Sequence, residues 1–196
     1  MVGIRKFDEA KLIKDAMRTF WARGAAATTM ADLAMATGVQ RGSLYNAYGD
    51  RETLLIAALD LYATRWRAQA VQALTDPEPE AAVAGFLQVH TDRMADPGNP
   101  PGCLMTEVSM ELADLSEAVA QRVAMHFQQT EDALQAYFEA AQGRGALHPP
   151  LQPRPSARFV VATSRGMAVM HKAHGGRIDV VEDVAASASL LFRRPR

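Results

Sequence analysis

The chain has 196 residues, 48% of them hydrophobic and 22% charged, with a formal net charge of −1, which is room for one or two folded domains and excludes wholesale disorder. The longest run without Asp, Glu, Lys or Arg, residues 81–91, is too short to span a bilayer, and the charged first twenty residues lack an apolar signal core. One cysteine, Cys103, excludes an internal disulfide and a thiolate zinc cluster, so the expectation is a cytoplasmic protein with no metal and no cofactor.

In chain order the pattern is helical. Phe7, Ala10, Ile13, Met17, Phe20 and Trp21 recur at three- and four-residue steps and stop at Gly24. Thr29 and Asp32 have the spacing of a capping box, which opens a short helix closed at Gly38. Residues 40–48 form a second short helix, and Asp50 caps a long one through Leu54, Ala58, Leu61, Tyr62 and Trp66 to about Leu74. Residues 78–95 follow, then a Gly/Pro loop over 96–102, helices over 103–112 and 116–142, and a Gly/Pro-rich connection over 143–155. Helices over 156–174 and 179–192 close the chain. No run alternates as a strand, so the expectation is an all-α protein of about nine helices.

Residues 29–48 carry the chemistry. Gly38 supplies the positive φ of a tight turn, and Leu33, Ala34, Val39 and Leu44 are spaced to make one small shared core. Gln40, Arg41, Ser43, Tyr45 and Asn46 are left on the outer side of the second helix, with no acidic residue among them. Such a surface suits a helix-turn-helix reading a major groove, although helical corners with a merely solvated polar face are also common. Charge agrees mildly: residues 1–51 hold eight Lys/Arg against five Asp/Glu, while the remainder is net acidic.

The run from Thr29 to Leu54, TMADLAMATGVQRGSLYNAYGDRETL, resembles the DNA-binding signature of the tetracycline-repressor (TetR) family, and the similarity extends over about residues 7–61. The resemblance implies a homodimeric, ligand-responsive transcription regulator, usually a repressor. Its three-helix DNA-binding head would occupy residues 1–50, with a helical effector-binding and dimerisation body over 51–196. It implies that Thr29 caps its helix and meets a phosphate, that Gln40, Arg41, Gly42 and Ser43 face bases or backbone, and that Tyr45 and Arg51 clasp phosphates. Where relatives often read His-Phe, this chain has Ala47-Tyr48, so the Tyr48 hydroxyl either replaces the missing donor or caps the core. Arg5 and Lys6 read as a solvated arm within reach of DNA.

Further on, Gly102-Cys-Leu-Met, Glu111-Leu, Ala157-Arg-Phe-Val-Val and Arg165-Gly-Met-Ala-Val are loosely similar to a branch that includes electrophile-responsive repressors. Met94, Met105, Met110, Met125, Met167 and Met170 suit either an adaptable pocket or ordinary core filling. His90, His126, His171, Tyr137, Glu107 and Glu111 are candidate polar members, the two glutamates reading as solvated or helix-packing carboxylates. The effector set is therefore Met94, Cys103, Met105, Glu107, Met125, Tyr137, Met167, Met170 and His171, for a small apolar or weakly polar ligand. Cys103 opens a helix, where peptide N–H groups favour the thiolate; a buried structural thiol is the simpler reading. No basic residue lies within ten positions downstream of it.

The last two helices look like a partner surface. Val180, Val184, Ala188 and Leu191 form an apolar stripe, widened by Val181, Ala185 and Phe192. Arg158, Arg165 and Lys172 recur along one edge of the preceding helix, where Gly166 and Ala168 permit close approach. The expected partners are a double-stranded DNA operator, a second copy of the chain and the effector, with no membrane. An effector-free dimeric regulator and a small Cys103-dependent all-α enzyme are the alternatives.

Overall fold

The computed structural model describes residues 8–194; the readings of Arg5, Lys6 and Phe7 lie outside that range. Its described residues form nine α-helices and one 3-10 turn, with no strand. The first helix, α1 (Glu9–Arg23), starts where the Asp8 carboxylate accepts from the Lys11 N–H at 3.1 Å and ends at Gly24. Its Leu12, Ala16, Met17, Phe20 and Trp21 are buried.

The short pair α2 (Met30–Thr37) and α3 (Arg41–Tyr48) folds as the sequence spacing predicts. Thr29 and Asp32 complete a reciprocal capping box, which satisfies two otherwise orphaned N–H groups. Gly38 takes φ 68°, a left-handed conformation that glycine adopts without a Cβ clash. Leu33 and Leu44 are wholly buried, and half-buried Val39 packs against the same core.

Asp50 caps α4 (Arg51–Ala73) by accepting from the Thr53 N–H at 2.7 Å. At about 1.5 Å per residue this helix is long enough to serve two neighbourhoods. It packs on α1 and also on α5 (Pro79–Ala95) and α7 (Glu117–Gly143). The short α6 (Leu104–Met110) continues through the 3-10 turn Leu112–Asp114. The body is closed by α8 (Pro153–Ala173), laid along α7, and α9 (Asp179–Leu190), held between α5 and α8. No helix of the described residues is long and apolar enough to cross a membrane.

Several boundaries differ by one to three residues from those the sequence suggests, and two of them have a local cause. The helix expected from residue 156 begins at Pro153, because proline at the first helical position loses no hydrogen bond and has its φ preset. The helix expected over 103–112 ends at Met110, after which the backbone tightens into the 3-10 turn.

Candidate functional site

On the head, α3 presents Arg41, Gly42, Tyr45 and Asn46 to solvent, with Gln40 exposed at its N-cap and Ser43 half-buried. The Arg41 guanidinium donates to the Tyr45 hydroxyl at 3.3 Å and lies 5.5 Å from the ring centroid. That pairing holds both side chains extended along one face. Thr29 is exposed, with its hydroxyl engaged by Asp32; Tyr48 is half-buried and donates to Glu9 Oε1 at 3.3 Å.

Arg51 differs from the phosphate-clasping role that the resemblance implied. Its Nη1 donates to the backbone carbonyls of Ala25, Ala26 and Thr28 at 2.7, 2.8 and 3.2 Å, while Nη2 pairs with Glu52. The guanidinium is thus engaged in fastening the α1–α2 turn to the start of α4. Glu111 reaches the same turn from the body: its Oε2 accepts from the Ala26 N–H at 2.7 Å. Gly24 makes room, since a Cβ there would stand 2.9 Å from Glu111 Oε1. The Glu52 carboxylate also accepts from the Ser116 N–H at 3.1 Å, a second tie between α4 and the start of α7.

Inside the body, Tyr62 from α4, Arg93 from α5, Cys103 before α6 and Arg165 from α8 converge. Tyr62 donates to Cys103 Sγ at 3.1 Å, Arg165 Nη1 at 3.2 Å and Arg93 Nη1 at 3.6 Å, and Arg93 Nη1 also donates to the Tyr62 hydroxyl. Cys103 is fully buried and Arg93 only 1% exposed. Burial alone would push the thiol up. The charges of Arg93 and Arg165, with the hydrogen bond from Tyr62, override it and bring the thiol down from 9.0 to about 6. Burial, reinforced by both guanidiniums, holds His90 well below the usual imidazole range and therefore neutral. The electropositive partners of Cys103 come from α5 and α8, which the local sequence around it could not reveal.

A cavity of ≈ 30 Å³ opens beside this cluster, lined by Tyr62, Trp66, Phe86, His90, Arg93 and Arg165 among others. Arg93 also faces the rings of Tyr62 and Trp66, 5.5 and 5.8 Å from their centroids. The Tyr62 ring meets the Trp21 ring of α1 edge-on at 5.3 Å, so the cluster touches the head directly.

Of the expected effector residues, the structure brings Met105 to the cavity wall and Cys103 to the cluster behind it. The others lie elsewhere. Met167 is wholly buried in the core, Met125 and Met170 are 37% and 39% exposed, and Met94 and His171 border a separate surface depression. His171 Nδ1 accepts from the Gly102 N–H, and Glu107 pairs with Lys172. Tyr137 donates to the Asp76 carbonyl in an open groove between α4 and α7. Arg165, expected at the dimer face, is instead half-buried over the Phe127 ring and on Cys103. Ala188 belongs to the intrachain seam with Val181, Ala185 and Phe192, since the side of α9 that packs on α5 and α8 carries it inward.

Sequence reasoning missed Tyr62 and Arg93 as site residues. One signal was the spacing Phe86, His90, Arg93 on a helix: an arginine on an apolar face is almost never fully buried unless it finds a partner.

A helix-turn-helix with an acid-free outer face, joined through one long helix to a body with a cavity, defines a DNA-binding regulator of transcription. The chain belongs to the tetR family of bacterial regulatory proteins. The model described as "Bacterial regulatory proteins, tetR family" matches residues 12–58, and that described as "Tetracyclin repressor-like, C-terminal domain" matches residues 79–185. The chain is 28% identical over 192 residues to the HTH-type transcriptional repressor ComR of Escherichia coli (strain K12), covering 95% of this chain and 89% of that one. It is 43% identical over 51 residues, 26% of this chain and 24% of the relative, to the HTH-type transcriptional regulator TtgR of Pseudomonas putida. Among solved structures, a cysteine mutant of the TetR family regulator CifR complexed with 26 bp operator DNA is similar in fold, with TM-score 0.84 at 24% identity, over 97% of this chain and 100% of that one. The reduced form of E. coli NemR matches with TM-score 0.80 at 18% identity, over 95% and 97% of the two chains.

Proposed function

We propose that this regulator is a homodimeric repressor that holds a near-palindromic operator through two copies of α3 and releases it when the body cavity is occupied. The observation that carries the reading is the chain of contacts between cavity and head. Cys103 bonds Tyr62, whose ring abuts Trp21 of α1, and α6 runs from Cys103 to Glu111, which holds the α1–α2 turn. A ligand that shifts α4 or α6 would therefore change the spacing of the two heads, and it releases DNA if it favours a spacing mismatched to the groove repeat. The name of the relative ComR, a repressor, supports the sign.

The dimer face is formed by the outer sides of α8 and α9. Phe159, Val169, Met170, Leu190 and Leu191 are 39–58% exposed there, and exposed Gly166 allows close helix approach. Val180 and Val184 are half-buried at its margin, and Arg158 lies at its edge, paired with Glu131 at 3.0 Å. In this arrangement α1–α3 form the head and α4–α9 the body, with α4 as the shared lever.

Selection of genomic fragments by the purified protein tests the proposal: it should return near-palindromic sites bound steeply more weakly as salt rises. Asymmetric or salt-insensitive sites would overturn it. A second reading, release by covalent modification, is favoured by the low thiol pKa of Cys103. Cys103→Ser separates the two, because it abolishes a covalent signal and leaves a non-covalent one intact.

A further inference from the structure

Two guanidiniums, that of buried Arg93 and that of half-buried Arg165, meet at the cavity and only one thiolate answers them. Among the described residues no carboxylate lines the cavity. Nε and Nη2 of Arg93, Nε of Arg165 and both ring nitrogens of His90 have no hydrogen-bond partner, although Arg93 is 1% and His90 5% exposed. A buried cation without matching counter-charge is costly, so this arrangement is built to receive an anion. The remaining walls, Trp66, Phe86 and Met105, are apolar.

We propose that this cavity binds a small organic carboxylate, its oxygens on the open donors of Arg93, Arg165 and a His90 ring N–H and its short apolar body against Trp66 and Phe86. The inference rests on the reading of the cavity as the effector site and names its ligand chemistry, in place of the apolar or weakly polar ligand expected from the methionines. A volume of ≈ 30 Å³ limits the ligand to a few heavy atoms unless the aromatic walls shift. The carboxylate and the Cys103 thiolate draw on the same two cations, so each weakens the other's hold, and binding is accompanied by proton uptake at the thiol. The titratable and charged groups acting on that thiol are Tyr62 from α4, Arg93 from α5 and Arg165 from α8, while Arg67, His90 and His126 line the cavity beside it.

The test titrates sodium acetate, propionate and butyrate, their neutral amides, and sodium chloride at matched ionic strength onto the full-length protein, followed by calorimetry and thermal denaturation. The carboxylates should bind once per subunit and raise Tm, with a fall in thiolate ultraviolet absorbance, whereas the amides and chloride should not. Arg165→Gln should weaken binding by about ten- to a hundredfold, the cost of losing hydrogen bonds from a charged donor. Cys103→Ser should tighten it, because the competing anion is gone. Arg165 is half-buried, so its replacement tests the site without the folding cost that Arg93→Gln would carry. Equal binding of acids and amides, an equal shift with chloride, or unchanged affinity in Arg165→Gln would overturn the proposal. Carboxylate binding that leaves operator affinity unchanged upholds the anion site and defeats the effector reading; operator release by the amides alone does the reverse.

Discussion

Replacing Cys103 by serine removes a titration whose effect on stability can be worked from the site. In the folded chain the thiol titrates at about 6, against 9.0 for an ordinary thiol. Between those values the folded chain holds a thiolate while the unfolded chain holds a thiol, so the unfolded state binds one more proton and stability rises with pH. The contribution is about 1.4 kcal/mol at pH 7, about 2.7 kcal/mol at pH 8, and approaches 4 kcal/mol above pH 9; it is lost as pH falls through 6. Serine does not ionise in this range. Urea unfolding of both proteins at one fixed concentration from pH 5 to pH 9 should therefore show a stability gap that is flat below pH 6 and widens by about 1.4 kcal/mol per unit above it. The other titrating groups are common to both proteins and largely cancel in the difference. A gap that stays flat from pH 6 to 8, or a wild-type alkylation rate that inflects near pH 9, would refute the thiolate assignment. Tyr62→Phe, which deletes one hydrogen bond to sulfur, should move the inflection upward.

Other outcomes follow from the head and the proposed dimer face. Arg51→Ala should lower thermal stability by about 2–4 kcal/mol by removing its bonds to three carbonyls, and it should weaken DNA binding only in proportion to unfolded head; an unchanged Tm with a reduced salt slope would restore the phosphate role. Tyr45→Phe should weaken binding to all DNA alike, whereas changing Gln40 or Arg41 should alter base preference at about 1–3 kcal/mol for each bidentate pair removed; a competition assay with random duplex distinguishes them. The double substitution Leu190→Asp and Leu191→Asp should yield monomers without operator affinity in sedimentation, because it places charges in a dehydrated seam, and an intact dimer would relocate the interface.

The head was legible in the sequence because its determinants are local. The Thr29–Asp32 box, the turn glycine Gly38 and the spacing of Leu33, Val39 and Leu44 lie within sixteen consecutive residues, and the structure builds all three as read. The cluster around Cys103 was not legible, because its members come from four separate helical neighbourhoods and only packing joins them. Arg165 was misassigned for a related reason: a seven-residue recurrence with Arg158 and Lys172 suggests one exposed edge, but residue 165 is turned toward Cys103 by the packing of α8 on α7. Glu111 reads as a solvated or helix-packing carboxylate until the turn at Ala26, 85 positions away, is brought beside it. The apolar stripe of α9 mixed an inward seam with an outward face, since a helix packed against both α5 and α8 buries apolar residues on more than one side.

Filling the space around Cys103 should change the head, and this coupling is open to direct measurement. Complete alkylation of Cys103 with iodoacetamide, verified by mass, adds a group that both crowds the ≈ 30 Å³ cavity and abolishes the thiolate. Operator affinity of the alkylated protein, measured by fluorescence anisotropy, should fall by about 5- to 150-fold relative to unmodified protein, the usual range of such coupling. Glu111→Ala, which cuts the tie to the Ala26 N–H, should shrink that ratio. An unchanged operator affinity in the fully alkylated protein would contradict the coupling of cavity to head.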